Sequence, residues 1–186
     1  MNKLFKIFTA SVMLIAMLVI SGCGGGDKFA GNWVTQEKNM GVEFGGNYYK
    51  QLKIEQNGDA YLLTETHNQY KLQKTKNGGR GLMSTYDGTF VWKTDAPEKY
   101  SAKANGENTL VINGSMGMMT VTYVEKDGTL LIGKQVYTKE KDGDMQKFKE
   151  AEQKRLQALY DANDMGFYDK KFLTSLNFAD AAADKK

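Results

Sequence analysis

Cysteine, histidine and proline each occur once in this chain of 186 residues. A single cysteine excludes an internal disulfide, and one cysteine with one histidine excludes the usual zinc ligand sets. The lone proline, Pro97, leaves nearly every backbone N–H free to donate into a sheet. Charge of one sign is also missing: 25 basic residues stand against 22 acidic ones, and Lys3 and Lys6 alone supply two units of the +3 net charge. That balance excludes the concentrated basic surface of a nucleic-acid groove. With 41% hydrophobic and 25% charged residues, the composition fits neither a disordered chain nor a polytopic membrane protein. The length suits one domain with its own core.

The N-terminus has the order of an export signal. Lys3 and Lys6 precede an apolar run over 7–20, and the small residues Ser21 and Gly22 follow. The run is short of the about 20 apolar residues that a spanning helix wants, so a cleaved signal over 1–22 is expected. Ile20-Ser21-Gly22-Cys23 resembles the lipobox of bacterial lipoproteins. The resemblance implies that the Cys23 thiol becomes a diacylglyceryl thioether and that the chain is cut between Gly22 and Cys23. The new amino terminus would then take a further acyl chain such as palmitate. Two or three acyl chains make a stable membrane anchor where one is marginal. Residues 23–28, with Gly24, Gly25 and Gly26, are expected to form a lipidated flexible tether. Gly24 stands where this class of protein places an aspartate for inner-membrane retention. The resemblance therefore favours the outer membrane of a diderm cell, or the outer face of the cell membrane in a monoderm one.

The middle of the chain is punctuated by turn dipeptides. Asn-Gly occurs at 57–58, 77–78, 105–106 and 113–114, and Asp-Gly at 87–88, 127–128 and 142–143. These pairs tolerate the positive φ of tight hairpins, and their regular spacing predicts a run of short antiparallel strands. Tyr48, Leu52 and Ile54 alternate with Gln51, Lys53 and Glu55. Phe90 and Trp92 share one side of a short strand, and Leu130, Ile132 and Val136 repeat at period two with Lys134 interrupting. Eight to ten strands without intervening helices exclude a parallel sheet and leave a closed up-and-down barrel or a sandwich. A barrel is expected over 29–143.

After Gly143 the pattern changes. Residues 144–163 lack glycine and proline, and Met145, Phe148, Leu156, Leu159 and Tyr160 fall on one stripe of a helix, with Asp144 as its cap. The stripe is expected to lie on the barrel wall. A second amphipathic piece over Met165–Phe178 extends the helical segment to 144–178, and 179–186 reads as a frayed tail.

Gly31-Asn32-Trp33 at the start of the first strand, the hairpin-linked strands and the following helix together resemble the lipocalin-like (calycin) barrels, over roughly residues 30–163. The resemblance implies a mainly β fold: an antiparallel up-and-down barrel with Trp33 plugging its closed end and a C-terminal amphipathic helix. Family members set an arginine from the last strand against that tryptophan, and here the strand offers Lys134 or Lys139.

No catalytic or metal centre is legible, and the chain is not expected to be an enzyme or to need a cofactor. His67 has only Glu65 near it on its strand face, which is too few ligands for a metal and suits a surface or mouth histidine. Met116, Met118 and Met119 have the thioethers that favour Cu(I), yet methionine also fills cores. Gly78-Gly79-Arg80-Gly81 lacks the Gly-Lys-Ser/Thr ending of a phosphate loop. Aromatic side chains are more telling. Phe90, Trp92, Tyr61 and Tyr123 suit either the lining of a ligand cavity or a filled core. Two functions fit: a lipid-anchored module that binds a small, partly apolar ligand, and a non-enzymatic interaction or assembly protein with an envelope partner.

Overall fold

Residues 27–39, 46–74, 86–114, 117–165, 173 and 175–180 are described by a computed structural model. The expected signal over 1–22 with its cleavage point, Cys23 and the glycines of the tether lie outside these residues. So do Asn77-Gly78, Arg80 and Met116.

Nine strands follow one another: β1 (Gly31–Glu37), β2 (Tyr48–Asn57), β3 (Ala60–Lys74), β4 (Tyr86–Thr94), β5 (Glu98–Ala104), β6 (Thr109–Gly114), β7 (Gly117–Val124), β8 (Thr129–Ile132) and β9 (Gln135–Lys139). A helix, α1 (Asp144–Asp161), and a short strand, β10 (Asn177–Asp180), complete the described chain. The antiparallel order β3-β2-β1-β9-β8-β7-β6-β5 returns to β3 and closes a barrel of eight strands. Closure is made where Trp33 of β1 pairs with Lys139 of β9. Of the barrel and the sandwich that the turn spacing leaves open, the chain forms the barrel, and with its C-terminal helix it matches the lipocalin-like architecture that the resemblance implies. Closure leaves no strand edge within the barrel itself.

One strand outgrows the barrel. Ala60–Glu65 of β3 pairs with β5, whereas Asn68–Leu72 and Lys74 pair with β4. β4 and β5 therefore act as one long partner of β3, interrupted at 95–97. Pro97, which has no N–H to give the ladder, sits in that interruption. Asn68 ties the junction together, since its amide donates to the Tyr49 carbonyl (3.2 Å) and its Oδ1 accepts from the Thr94 hydroxyl (2.7 Å). Beyond the junction, β3 and β4 form a wing, to which β10 adds in parallel with Phe178 beside Phe90.

The barrel interior buries Trp33, Ile54, Leu63, Leu110, Val121 and Leu130. A second core lies between the wing and α1, where Tyr49, Tyr70, Phe90 and Trp92 meet Phe148 and Leu156. Full burial of such side chains contributes about 1.5–3 kcal/mol each. The helix stripe thus lies on the sheet's outer face. At its centre is Glu152, 3% exposed, whose carboxylate accepts from the Asn47 backbone N–H (2.6 Å) and from Arg155 (2.6 and 2.8 Å). Among the described residues no helix is long and apolar enough to cross a membrane.

Several sequence expectations are corrected. Asp87-Gly88 is not a hairpin turn but lies within β4, where the register with β3 shifts and Gly88 takes φ +75°. A Cβ there would stand 1.5 Å from the Ser175 carbonyl oxygen, so the bulge and the approach of the chain beside β10 both demand glycine. The period-two run from Leu130 to Val136 is two strands, because Gly133 (φ +59°) and Lys134 form a hairpin turn with glycine first. Val136 consequently faces outward, 52% exposed. The helical segment expected over 144–178 ends as a helix at Asp161, and β10 occupies 177–180, including two residues assigned to the frayed tail. Asp144 does not cap the helix. The N-cap is Gly143, and the Asp144 carboxylate accepts the Lys141 N–H at 2.9 Å.

Candidate functional site at the barrel mouth

The two ends of the barrel are chemically distinct. At the closed end, the Trp33 indole N–H donates to the Phe29 carbonyl (2.7 Å), and the Lys139 ammonium stands 3.9 Å from the Trp33 ring centre. Burial pushes the Lys139 pKa down, with Asp27 acting in the opposite direction. Lys139, not Lys134, takes the place that the family resemblance gives to an arginine. Phe29 seals this end against Tyr61 and Tyr123, at ring separations of 5.8 and 6.2 Å.

The four aromatics singled out from the sequence therefore do not line one cavity. Tyr61 and Tyr123 belong to the closed end, while Phe90 and Trp92 lie outside the barrel in the core beneath α1. Trp92 stacks edge-on with Tyr70 at 5.0 Å and lies 6.2 Å from Phe148. The physical reason is the wing: strand alternation continues past the barrel rim, and inward or outward then refers to the helix.

A cavity of about 200 Å³ does open at the other end. Its floor is Leu52 and Leu63, and one side is apolar, formed by Ile112, Met119 and Ile132 of β6, β7 and β8. The opposite side is polar, formed by Lys50, Glu65, His67, Tyr100, Gln135 and Tyr137 of β2, β3, β5 and β9. These side chains are wired together. Glu65 Oε1 accepts the Tyr137 hydroxyl (3.1 Å) and lies 3.1 Å from His67 Nε2. The Tyr137 oxygen is 3.3 Å from Gln135 Oε1, and the Gln135 amide donates to Glu37 (3.0 Å). Lys50 forms an ion pair with the same Glu37 carboxylate, and the Tyr100 hydroxyl donates to Glu98.

Protonation follows from these contacts. The hydrogen bond from Lys50 holds the Glu37 carboxyl below its usual range, against an opposing effect of burial. Burial, reinforced by Glu65, pushes the Tyr137 phenol far up. The bond to Glu98 raises Tyr100 to about 12. Both phenols at the mouth are thus neutral donors at neutral pH. Lys50 is compensated by Glu37, whereas among the described residues Glu65 has only His67 as an ion-pairing partner.

Among the described residues no three His, Cys, Asp or Glu side chains gather as a metal site requires. His67 sits at the mouth, with Glu65 on the same strand face. The other cup residues were missed in the sequence because an inward-facing Lys50 or Gln135 reads like a solvated strand position. The available signal was parity, since Lys50 shares the face of Leu52 and Ile54. A second groove, on the outer wall, is lined by Asn32, Gln51, Lys53, Thr64, Thr66 and Glu140 beside Leu52. No family model, curated protein or solved structure matches the chain, so its barrel is recognised by its own strand order.

Proposed function

We propose that this protein is a lipid-anchored, non-enzymatic binding module of the cell envelope, whose barrel mouth holds a small, partly apolar molecule. The observation that supports it best is the cup itself: an apolar floor and side opposed by a convergent set of polar groups. That combination orients a ligand through a few hydrogen bonds while apolar contact provides area. At about 200 Å³ the cup lies below the ~300–1,000 Å³ of drug-sized sites, so the ligand is about the size of one ring or a short chain. The proposed anchor rests on Ile20-Ser21-Gly22-Cys23 at the end of an apolar run.

Native mass spectrometry of protein purified from its host tests the binding reading. A co-purifying small molecule is expected, and Met119→Trp, at a half-exposed position on the rim, should block the cup and remove it. An empty wild-type protein, or a bound species indifferent to Met119→Trp, argues against the cup. Cys23→Ser should abolish labelling by palmitate and leave unprocessed precursor; continued labelling would refute the anchor.

The rival reading, an envelope interaction protein, draws support from the filled lower barrel and from Leu131 and Val136, paired and exposed on the outer wall. It predicts an empty cup and a co-purifying protein that is lost on Val136→Lys.

A further inference from the structure

Resting on that ligand-binding reading, we propose that the mouth selects a small molecule bearing a cationic nitrogen on an apolar arm, an alkyl- or arylamine, over its anionic counterpart. Two features of the cup lead there together. The first is the division of its wall, which sets Glu65 across the cavity from Ile112, Met119 and Ile132. An occupant touching both sides must be polar at one end and apolar at the other. The second is charge compensation. The Lys50 ammonium, with a side chain 13% exposed, is held by Glu37. The Glu65 side chain, 19% exposed, has only neutral donors when His67 is unprotonated, the Tyr137 hydroxyl and the imidazole. A carboxylate in this setting lacks a counter-charge, and an ammonium group meeting it makes a charge-assisted hydrogen bond, the strong kind. An anion in the same place would face Glu65, with the Glu98 carboxylate on the strand paired to it.

Met119 adds to the case. It lines the cup yet is 41% exposed, and beside it Met118 is 73% exposed. A flexible thioether side chain at the rim can close over an apolar arm of variable shape.

The single histidine of the chain supplies the assay, because the protein purified without a histidine tag has one imidazole to observe by proton NMR. Phenethylamine, phenylacetate and 2-phenylethanol share one eight-carbon phenyl skeleton with a cationic, anionic and neutral end. They are titrated at about pH 8. The amine is expected to shift the His67 signal at a concentration at least about tenfold lower than phenylacetate. Glu65→Gln should erase that preference, and added salt should weaken the amine more than the alcohol. The inference is overturned if phenylacetate or phenylethanol binds as tightly as the amine, or if a folded Glu65→Gln keeps the preference. In either case the cup stands as a small-molecule site. If none of the three probes moves the His67 signal, both the amine inference and the ligand-binding reading fall. Should Glu65→Gln unfold, the comparison of the three probes and the salt response on the wild-type protein still decide.

Discussion

The closed end and the mouth of the barrel are built by the same strands, yet they do opposite things. Along β2 the inward residues run Ile54, Leu52, Lys50; along β3 they run Tyr61, Leu63, Glu65, His67; along β9 they run Lys139, Tyr137, Gln135. Each series becomes more polar towards the mouth, apart from the lysine that caps Trp33. The closed end satisfies its one indole N–H and covers the ring with a cation, leaving stability as its product. The mouth instead gathers polar groups into the wall of a cavity, where Lys50, Glu65 and Gln135 stand at positions that share the inward face of the core. One pleated surface thus carries both a plug and an open cup, separated by a few residues along each strand.

The largest expected effect lies at the plug. Trp33→Ala should cost about 3–5 kcal/mol in urea denaturation, because it removes a fully buried ring and leaves a cavity. A loss below about 1 kcal/mol would show that the two ends are energetically alike. Next comes Lys139→Met, which keeps the aliphatic stem but removes the charge over Trp33; about 0.5–2 kcal/mol should be lost. At the mouth, Tyr137→Phe deletes a hydroxyl that donates to Glu65, and a loss of about 1 kcal/mol is expected, with a larger effect on any bound ligand than on the thermal midpoint.

Alkaline pH perturbs both ends at once. Tyr61 at the plug and Tyr100 at the mouth are both raised to about 12, the first chiefly by burial and the second by its bond to Glu98. The folded state holds these protons more tightly than the unfolded chain. Their contribution is therefore complete below about pH 10 and lost as pH rises through 12. Absorbance titration of the phenols alongside circular dichroism should show unfolding coincide with the ionisation of the slowest class. Phenols that all titrate near pH 10 in a folded protein would contradict the burial assigned to them. The smallest effect is expected from Met119→Gln, within about 0.5 kcal/mol in stability since the side chain is 41% exposed, but measurable in ligand retention.

The plug was legible in the sequence to a degree that the mouth was not. Gly31-Asn32-Trp33 and the dipeptides at 57–58, 105–106 and 127–128 marked out a meander, since positive φ is a local demand that few residues meet. The Gly133-Lys134 turn escaped because a lysine between apolar residues looks like an interruption. The wing escaped for a different reason. β3 is 15 residues long, and nothing local shows that its second half has left the barrel. β10 was hidden because four strand residues at the end of an amphipathic stretch carry too little periodicity to outvote a helix. The cup depends on which polar residues share parity with the core, a fact of register that only pairing reveals.

The crowding at Gly88 has a consequence in time. β10 is four residues long and pairs with β4 alone among the described strands, and the Ser175 carbonyl that leads into it passes so close that position 88 admits no side chain. A strand so short and one-sided has few bonds to break, so its amides should exchange with solvent sooner than those of β2 or β3, without the barrel opening. Gly88→Ala would then release the C-terminal strand as a unit, leaving the eight-stranded barrel folded. The chain's last described segment is a latch on the wing, and hydrogen exchange should read its opening as a separate step.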